Sequence, residues 1–453
     1  MSKMMRNAAR VAVGLVLCAG PVAAETLTDA LTMAYRNSGL IEQNRAVLRA
    51  ADEDVAQAVA LLRPVLNYTV GATWSEPNSG DDITGAATLS AGMLLYDFGR
   101  SQLNVDIQKE TVLATRAALV DIENTVLLNT VTSYLAVRRS EAFVDLRQNN
   151  VRLLTEQLRA TRDRFEVGEV TRTDVSLAEA RLAAARSGLA AEQGGLAQAR
   201  EQYKAVVGVY PGTLAPPPRS PAIPGTQEAA RATARQKNPQ ILQIQHQVKA
   251  ADLAVEQAAR AKLPTLDASG KVSIDHNGDD SSSIGIELSG PIYRGGAIAS
   301  GQRQAIAGRD QARALLYTNG LLVDQQVGDA YANLAVAVAS IDASDRQVRA
   351  AQLALEGVRE ELQLGARTTL EVLDQEQEVL DAQTSRVSAE VDRYIAVYQV
   401  LDSMGLLTAE HLGLNVPIYD PAAYYNAVKD APRHGVSPQG EKLDRVLRAI
   451  GQE

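Results

Sequence analysis

Residues 41–60, IEQNRAVLRAADEDVAQAVA, recur two hundred positions later as ILQIQHQVKAADLAVEQAAR at 241–260, with eight of twenty positions identical. The match runs on to Pro64 and Pro264. Beyond a short loop the spacing becomes 197 and holds there, pairing Tyr96 with Tyr293, Tyr134 with Tyr331, Gly168 with Gly365, Thr171 with Thr368 and Val175 with Val372. The chain therefore carries two copies of one unit, and self-similarity at a fixed period decides architecture before any single element does. The copies span 25–208 and 227–415. Between them lies 209–226, VYPGTLAPPPRSPAIPGT, which holds six of the 16 prolines and reads as a linker. A tail follows at 416–453.

Each copy is expected to repeat one order of elements. A helix of about 35 residues (28–62; 228–262) ends before Pro64 or Pro264, because proline and its predecessor resist helix. Two strands joined by a turn-rich loop come next, then a helix of about 65 residues (101–165; 298–362), a tight glycine turn and a return helix of about 35 (174–208; 371–406). At 1.5 Å per residue the long helix spans about 100 Å, and the two shorter helices end to end cover the same distance. Val137, Val144, Val151, Leu158 and Phe165 recur at intervals of seven, as do Val327, Leu334, Ile341, Val348, Leu355 and Leu362, which is the seam of a coiled coil. Such a stripe is a packing surface before it is a binding surface.

Composition agrees with close-packed helices. Of 453 residues 46% are hydrophobic, yet there are only three Phe and one Trp, so the apolar content comes from Ala, Val and Leu. Net charge is −9, which disfavours nucleic acid as a partner, since phosphate backbones require clustered Lys and Arg.

Residues 1–24 read as a cleaved signal peptide. Lys3, Arg6 and Arg10 precede an apolar run from Val11 to Val22, and Val22-Ala23-Ala24 offers a small-residue cleavage site. The run is too short to span a bilayer. The single cysteine, Cys18, falls inside it, with Leu17 where a lipoprotein signal would place a small residue, so the remainder has no thiol for disulfide, metal or nucleophilic chemistry.

The strands alternate. Leu66, Tyr68, Val70, Ala72 and Trp74 oppose Asn67, Thr69, Gly71, Thr73 and Ser75, and Ala87, Leu89, Ala91, Met93 and Leu95 oppose Thr88, Ser90 and Gly92. In the second copy Leu266, Ala268, Val272 and Ile274 oppose Asp267, Ser269, Lys271 and Ser273, while Ile284, Ile286, Leu288 and Ile292 oppose Glu287 and Ser289. The pattern alone fits a soluble sheet or a barrel with lipid outside and water inside. Export, strand lengths suited to a tilted membrane strand, and the lack of any spare apolar segment to cover the sheet turn the balance towards the barrel. Four strands cannot close one, so further copies must supply the rest.

These residues resemble the TolC-type outer-membrane channels of efflux pumps and type I secretion. The resemblance covers about 25–430 and rests on the duplication, the strand-to-helix corners LLYDFGR (94–100) and PIYRGG (291–296), and the turns RFEVGEVTRTDV (164–175) and LQLGARTTLEVLD (362–374). It implies an α+β membrane protein, a homotrimer with a 12-stranded outer-membrane β-barrel continuing into a long periplasmic α-helical barrel. It also implies a periplasmic adaptor, an ABC or proton-driven inner-membrane transporter, and outer-membrane lipid as partners. The turns would form the periplasmic entrance, with Gly168, Val170, Thr171, Gly365 and Thr368 meeting the adaptor. An Arg of the second turn would bond Thr and Asp of a neighbouring first turn, which places the gate on Arg367, Thr173 and Asp174, and Glu371 and Asp374 would line the constriction as rings of three carboxylates. Two positions depart from the best-known pattern: Glu371 stands where Asp is usual, and Leu362 where some members carry Tyr.

Independently of the family, Gly168 and Gly365 suit the left-handed position after a helix, and Thr171 and Thr368 suit caps of the returning helices, with Asp174 or Glu371 in the first turn. Enzyme chemistry has little support: His246, His276, His411 and His434 are scattered, and no P-loop, HExxH or GxSxG occurs, so neither cofactor nor metal is expected. His276, Asp81-Asp82 and Asp279-Asp280 with Ser281 to Ser283 are expected in exposed loops. The tail segment VPIYDPAAYY should pack on the outside of the rod, followed by a short helix around Leu443 to Ile450. The rival reading is a soluble periplasmic coiled-coil scaffold. A non-selective porin is disfavoured because porins spend their length on strands.

Overall fold

A computed structural model describes residues 24–75, 82–417 and 419–429, together with Arg445. The signal segment up to Ala23, the loop tip at Asp81 and the helix expected around Leu443 to Ile450, apart from Arg445, lie outside the described residues. Each copy contributes two short helices, two strands, a long helix and a return helix. In the first these are α1 (Leu27–Asn37), α2 (Gly39–Ala60), β1 (Val65–Ser75), β2 (Asp82–Tyr96), α3 (Arg100–Glu166) and α4 (Arg172–Val207). In the second they are α5 (Gln227–Lys237), α6 (Pro239–Arg260), β3 (Thr265–Asp275), β4 (Asp280–Ser289), α7 (Ala297–Gln363) and α8 (Thr369–Ser403). A tail helix, α9 (Pro421–Val428), ends the described chain but for Arg445.

The single 35-residue helix expected at the start of each copy is corrected to two. Ser38 adopts an extended conformation and its hydroxyl accepts from the Ile41 amide, starting a new helix. At the equivalent break Asn238 Oδ1 accepts from the Gln240 and Ile241 amides, and Pro239, which has no N–H, takes the first position of α6. Apolar periodicity runs through both breaks and hides them. Asp82 belongs to β2, and Asp280 with Ser281, Ser282 and Ser283 to β4, rather than to loops, whereas Ile292 lies beyond the end of β4.

Helices α3 and α7 have 67 residues each, about 100 Å of rise. On α3 the seven-residue stripe is buried at Val137, Val144 and Leu158 and emerges at Phe165 near the turn. On α7 Val327 is buried, while Leu334, Ile341, Val348, Leu355 and Leu362 are only half-buried within one chain. The main core lies where α1, α3, α4, α5, α7 and α8 converge, around Leu27, Tyr134, Tyr203, Val327 and Leu401.

The duplication is visible as chemistry. The equivalent tyrosines pin the linker at two points, Tyr134 Oη donating to the Ala215 carbonyl at 2.6 Å and Tyr331 Oη to that of Pro224 at 2.7 Å. Arg116 of α3 faces Asp52 of α2 at 3.9 Å, and the equivalent Arg313 of α7 pairs with Asp252 of α6 at 2.8 Å. The tail packs on α2 as expected: Tyr419 and Tyr425 cover the cluster around Leu48 and Val55, and Tyr424 Oη bonds Glu53 at 2.8 Å.

The strand-to-helix corners also match, but on different residues. Phe98 and Gly99 adopt φ of 58° and 77°, while their equivalents Gly295 and Gly296 adopt 57° and 87°. A left-handed Phe costs about 1 kcal/mol or more. It is held by Arg260, whose Nη1 donates to the Phe98 carbonyl at 2.8 Å, and by Asp97, which accepts from the Ser101 amide at 2.7 Å.

Asp52 is fully buried with neither oxygen hydrogen-bonded, and desolvation pushes its pKa up to about 6 despite Arg116. Its folded pKa exceeds the unfolded value of 3.8. Protonation therefore favours the folded state, and the protein gains stability from this group as pH falls from 6 to 4. Asp52→Asn should raise thermal stability at pH 7.5, by on the order of 2 kcal/mol, and by much less at pH 4.5. Melting curves at the two pH values check this.

Candidate functional site

Two parts of the chain carry functional geometry: the turns between long and return helices, and the four-stranded sheet. In the first turn Gly168 takes φ 80°, its amide donating to the Phe165 carbonyl at 3.0 Å and that of Glu169 to Arg164 at 2.9 Å. Gly365 repeats this at φ 75°, with Gly365 to Leu362 at 3.0 Å and Ala366 to Glu361 at 2.8 Å. These paired bonds close off the helix carbonyls and require a residue free to be left-handed.

The returning helices begin with reciprocal caps. The Asp174 amide donates to Thr171 Oγ1 at 3.3 Å, and the Asp174 carboxylate accepts from the Thr171 amide at 2.8 Å. Glu371 and Thr368 do the same at 3.3 and 2.7 Å. The bonds from Thr171, first its hydroxyl and then its amide, hold Asp174 below the usual carboxylate range. Glu371 is pushed down to about 2 by the Thr368 amide first and then by Arg367 and the Thr368 hydroxyl, so it stays ionised at any physiological pH.

Within one chain Arg367 serves its own turn. Its Nε donates to Glu361 at 2.7 Å and its Nη1 to Glu371 at 2.8 Å, and both carboxylates raise its pKa. Its Nη2 takes part in neither bond. Thr173 is exposed, Asp174 and Val170 are half-buried, and Asp374 is exposed and paired with Arg181 of the other hairpin. Sequence reasoning missed two sets of partners. Arg162 with Glu179 brackets the first hairpin, and the equivalent Arg359 with Glu376 brackets the second at 2.9 Å; opposite charges kept at the 197 spacing were a usable signal. Arg181 with Asp374 had no such signal, because its partners lie 193 residues apart and neither is repeated.

The sheet runs β1-β2-β3-β4, antiparallel throughout. Its register stacks apolar on apolar: Tyr68 faces Leu89, Leu89 faces Val272, and Leu266 faces Leu288. That face is uncovered, with Tyr68 82%, Val70 75%, Trp74 60%, Ile284 94% and Ile286 71% exposed. The opposite face is polar, with Thr88 Oγ1 bonding Ser273 Oγ at 3.1 Å, and Lys271 facing Ser90 and Ser283. A register shift between Leu94 and Tyr96 marks where β2 leaves the sheet for the corner.

The model of one protein family, described as outer membrane efflux protein, matches residues 30–209 and 231–406. The chain belongs to this family. It is 35% identical over 428 residues to the outer membrane efflux protein BepC of Brucella suis, covering 92% of this chain and 93% of the relative. It is 24% identical to the outer membrane protein TolC of Escherichia coli, with 95% and 92% covered. Among solved structures, the Campylobacter jejuni CmeC outer membrane channel superposes with a TM-score of 0.74 at 14% identity, covering 89% of each chain. The protein is thus one chain of a passive outer-membrane channel and not an enzyme, its helical rod extending into the periplasm. The soluble-scaffold reading falls with the outward apolar face and with this membership. The fold is that of trimers in which four strands per chain complete a 12-stranded barrel above a helical barrel.

The cap at Thr171 yields a local prediction. Thr171→Ala should cost the start of α4 about 1 kcal/mol. Hydrogen exchange should show faster amides over 172–175 with the rest of the helix unchanged.

Proposed function

We propose that the protein is the exit duct of a tripartite export system. It would receive substrate from an inner-membrane transporter through a periplasmic adaptor and release it across the outer membrane. The carrying observation is the bare apolar face of the sheet: its large apolar side chains are exposed while the opposite face is polar, as a barrel with lipid outside and water inside requires. In a bilayer every strand edge must be paired and every outward side chain must be apolar. Outer-membrane lipid is the partner of that face, and two further copies are the partners of the β1 and β4 edges.

The turns are the natural contact for the adaptor, through Gly168, Val170, Thr171, Gly365 and Thr368, because they are the far ends of both hairpins. Energy must come from the transporter, ABC or proton-driven, since no nucleotide motif occurs in the sequence. Two of the curated relatives are named protease secretion proteins, PrtF of Dickeya chrysanthemi and AprF of Pseudomonas aeruginosa, while BepC is named for efflux. Both cargo classes suit a duct wide enough for twelve strands.

Closure of the entrance would rest on bonds between chains, from Arg367 to Thr173 and Asp174 of a neighbour. Arg367 has donor capacity to spare beyond Glu361 and Glu371. Glu371 and Asp374 would face the constriction below.

Membrane fractionation should place the protein in the outer membrane as a heat-modifiable trimer, and a periplasmic monomer would refute the duct. In planar bilayers Arg367→Ser with Asp174→Ala should raise single-channel conductance severalfold. Unchanged conductance would remove the gate from these residues.

A further inference from the structure

The two hairpins of one chain meet close to their turns. Leu373 of α8 is 3% exposed and sits among Leu154, Leu158, Ala178, Leu182 and Ala185 of the first copy. The next residue, Asp374, is paired with Arg181 of α4. Arg181 stands three residues after Ala178 and four before Ala185, so it flanks the apolar seat, and Leu373 fixes which carboxylate it reaches.

This pair breaks the internal symmetry. The hairpin bridges recur at the 197 spacing, Arg162 with Glu179 and Arg359 with Glu376. At the same spacing the counterpart of Asp374 is Leu177, and that of Arg181 is Glu378. Arg181 and Asp374 are thus a matched departure from the duplicated pattern, placed where the two copies touch.

We propose that Arg181 sets the ion preference of the channel by neutralising Asp374 at the constriction. The inference rests on the reading, given above, that Asp374 lines the entrance. In the linked ion pairs of this region two arginines, Arg181 and Arg367, meet the three carboxylates Glu361, Glu371 and Asp374. Without Arg181 the uncompensated negative charge of these pairs rises from one to two per chain, and threefold symmetry introduces the change three times in one ring. A narrow aqueous ring of one sign concentrates counter-ions and sets selectivity. The pair is about half exposed, 43% for Arg181 and 54% for Asp374. Exposed pairs contribute little to folding, so the arginine acts on the pore's potential rather than on its stability.

The test is the reversal potential of purified trimers in planar bilayers under a KCl gradient. Arg181→Gln should raise the potassium-to-chloride permeability ratio at least twofold, and Asp374→Asn should lower it. Removing both charges together should return the ratio towards that of the unmodified channel. Arg181→Lys, which keeps the charge, should retain the original ratio. The gap between Arg181→Gln and the unmodified channel should narrow from 0.1 M to 1 M KCl as screening shortens from about 10 Å to about 3 Å. A purely structural role would alter conductance or trimer yield and leave ion preference alone. An unchanged ratio in Arg181→Gln beside a lowered ratio in Asp374→Asn overturns the assignment of Arg181. An unchanged ratio in both overturns, with it, the placing of Asp374 at the constriction.

Discussion

Everything in this chain depends on a sheet that cannot be completed alone. Four antiparallel strands leave the β1 and β4 edges with unpaired backbone groups, and one face is apolar and bare. Water penalises the face and lipid penalises the edges. Only a closed ring in a bilayer satisfies both, so oligomerisation is a condition of the fold rather than an addition to it. The same demand reaches into the rod, where the stripe on α7 is half-buried at all but Val327 while that on α3 is buried at Val137, Val144 and Leu158.

Much of this was legible in the sequence, because the decisive signals are periodic. Alternation at two gave the faces of the strands, recurrence at seven gave the seam of α3, and the 197 spacing related Tyr134 to Tyr331 and Gly168 to Gly365. What escaped was aperiodic. Ser38 and Asn238 break helices whose apolar rhythm continues across them, since a cap needs only one side chain and a local change of ψ. Arg181 and Asp374 escaped because their meeting depends on how two hairpins dock, a contact between elements far apart in the chain.

The turns show how one small motif serves two purposes. The cap that starts each return helix consumes the carboxylate of Asp174 or Glu371, which lowers its pKa and fixes its direction. A group so tied keeps its charge through any ordinary change of pH. Charge at the turns is therefore set by which arginine lies beside which carboxylate, and Arg367 divides itself between Glu361 and Glu371.

The corners carry a mechanical asymmetry. Both turn through the same left-handed backbone, but the first does so on Phe98, braced by Arg260 and capped by Asp97, and the second on Gly295 and Gly296, with open space around both. Each chain thus joins rod to barrel through one corner braced by side chains and one held by backbone alone. Around a threefold ring these alternate, three braced corners between three unbraced ones.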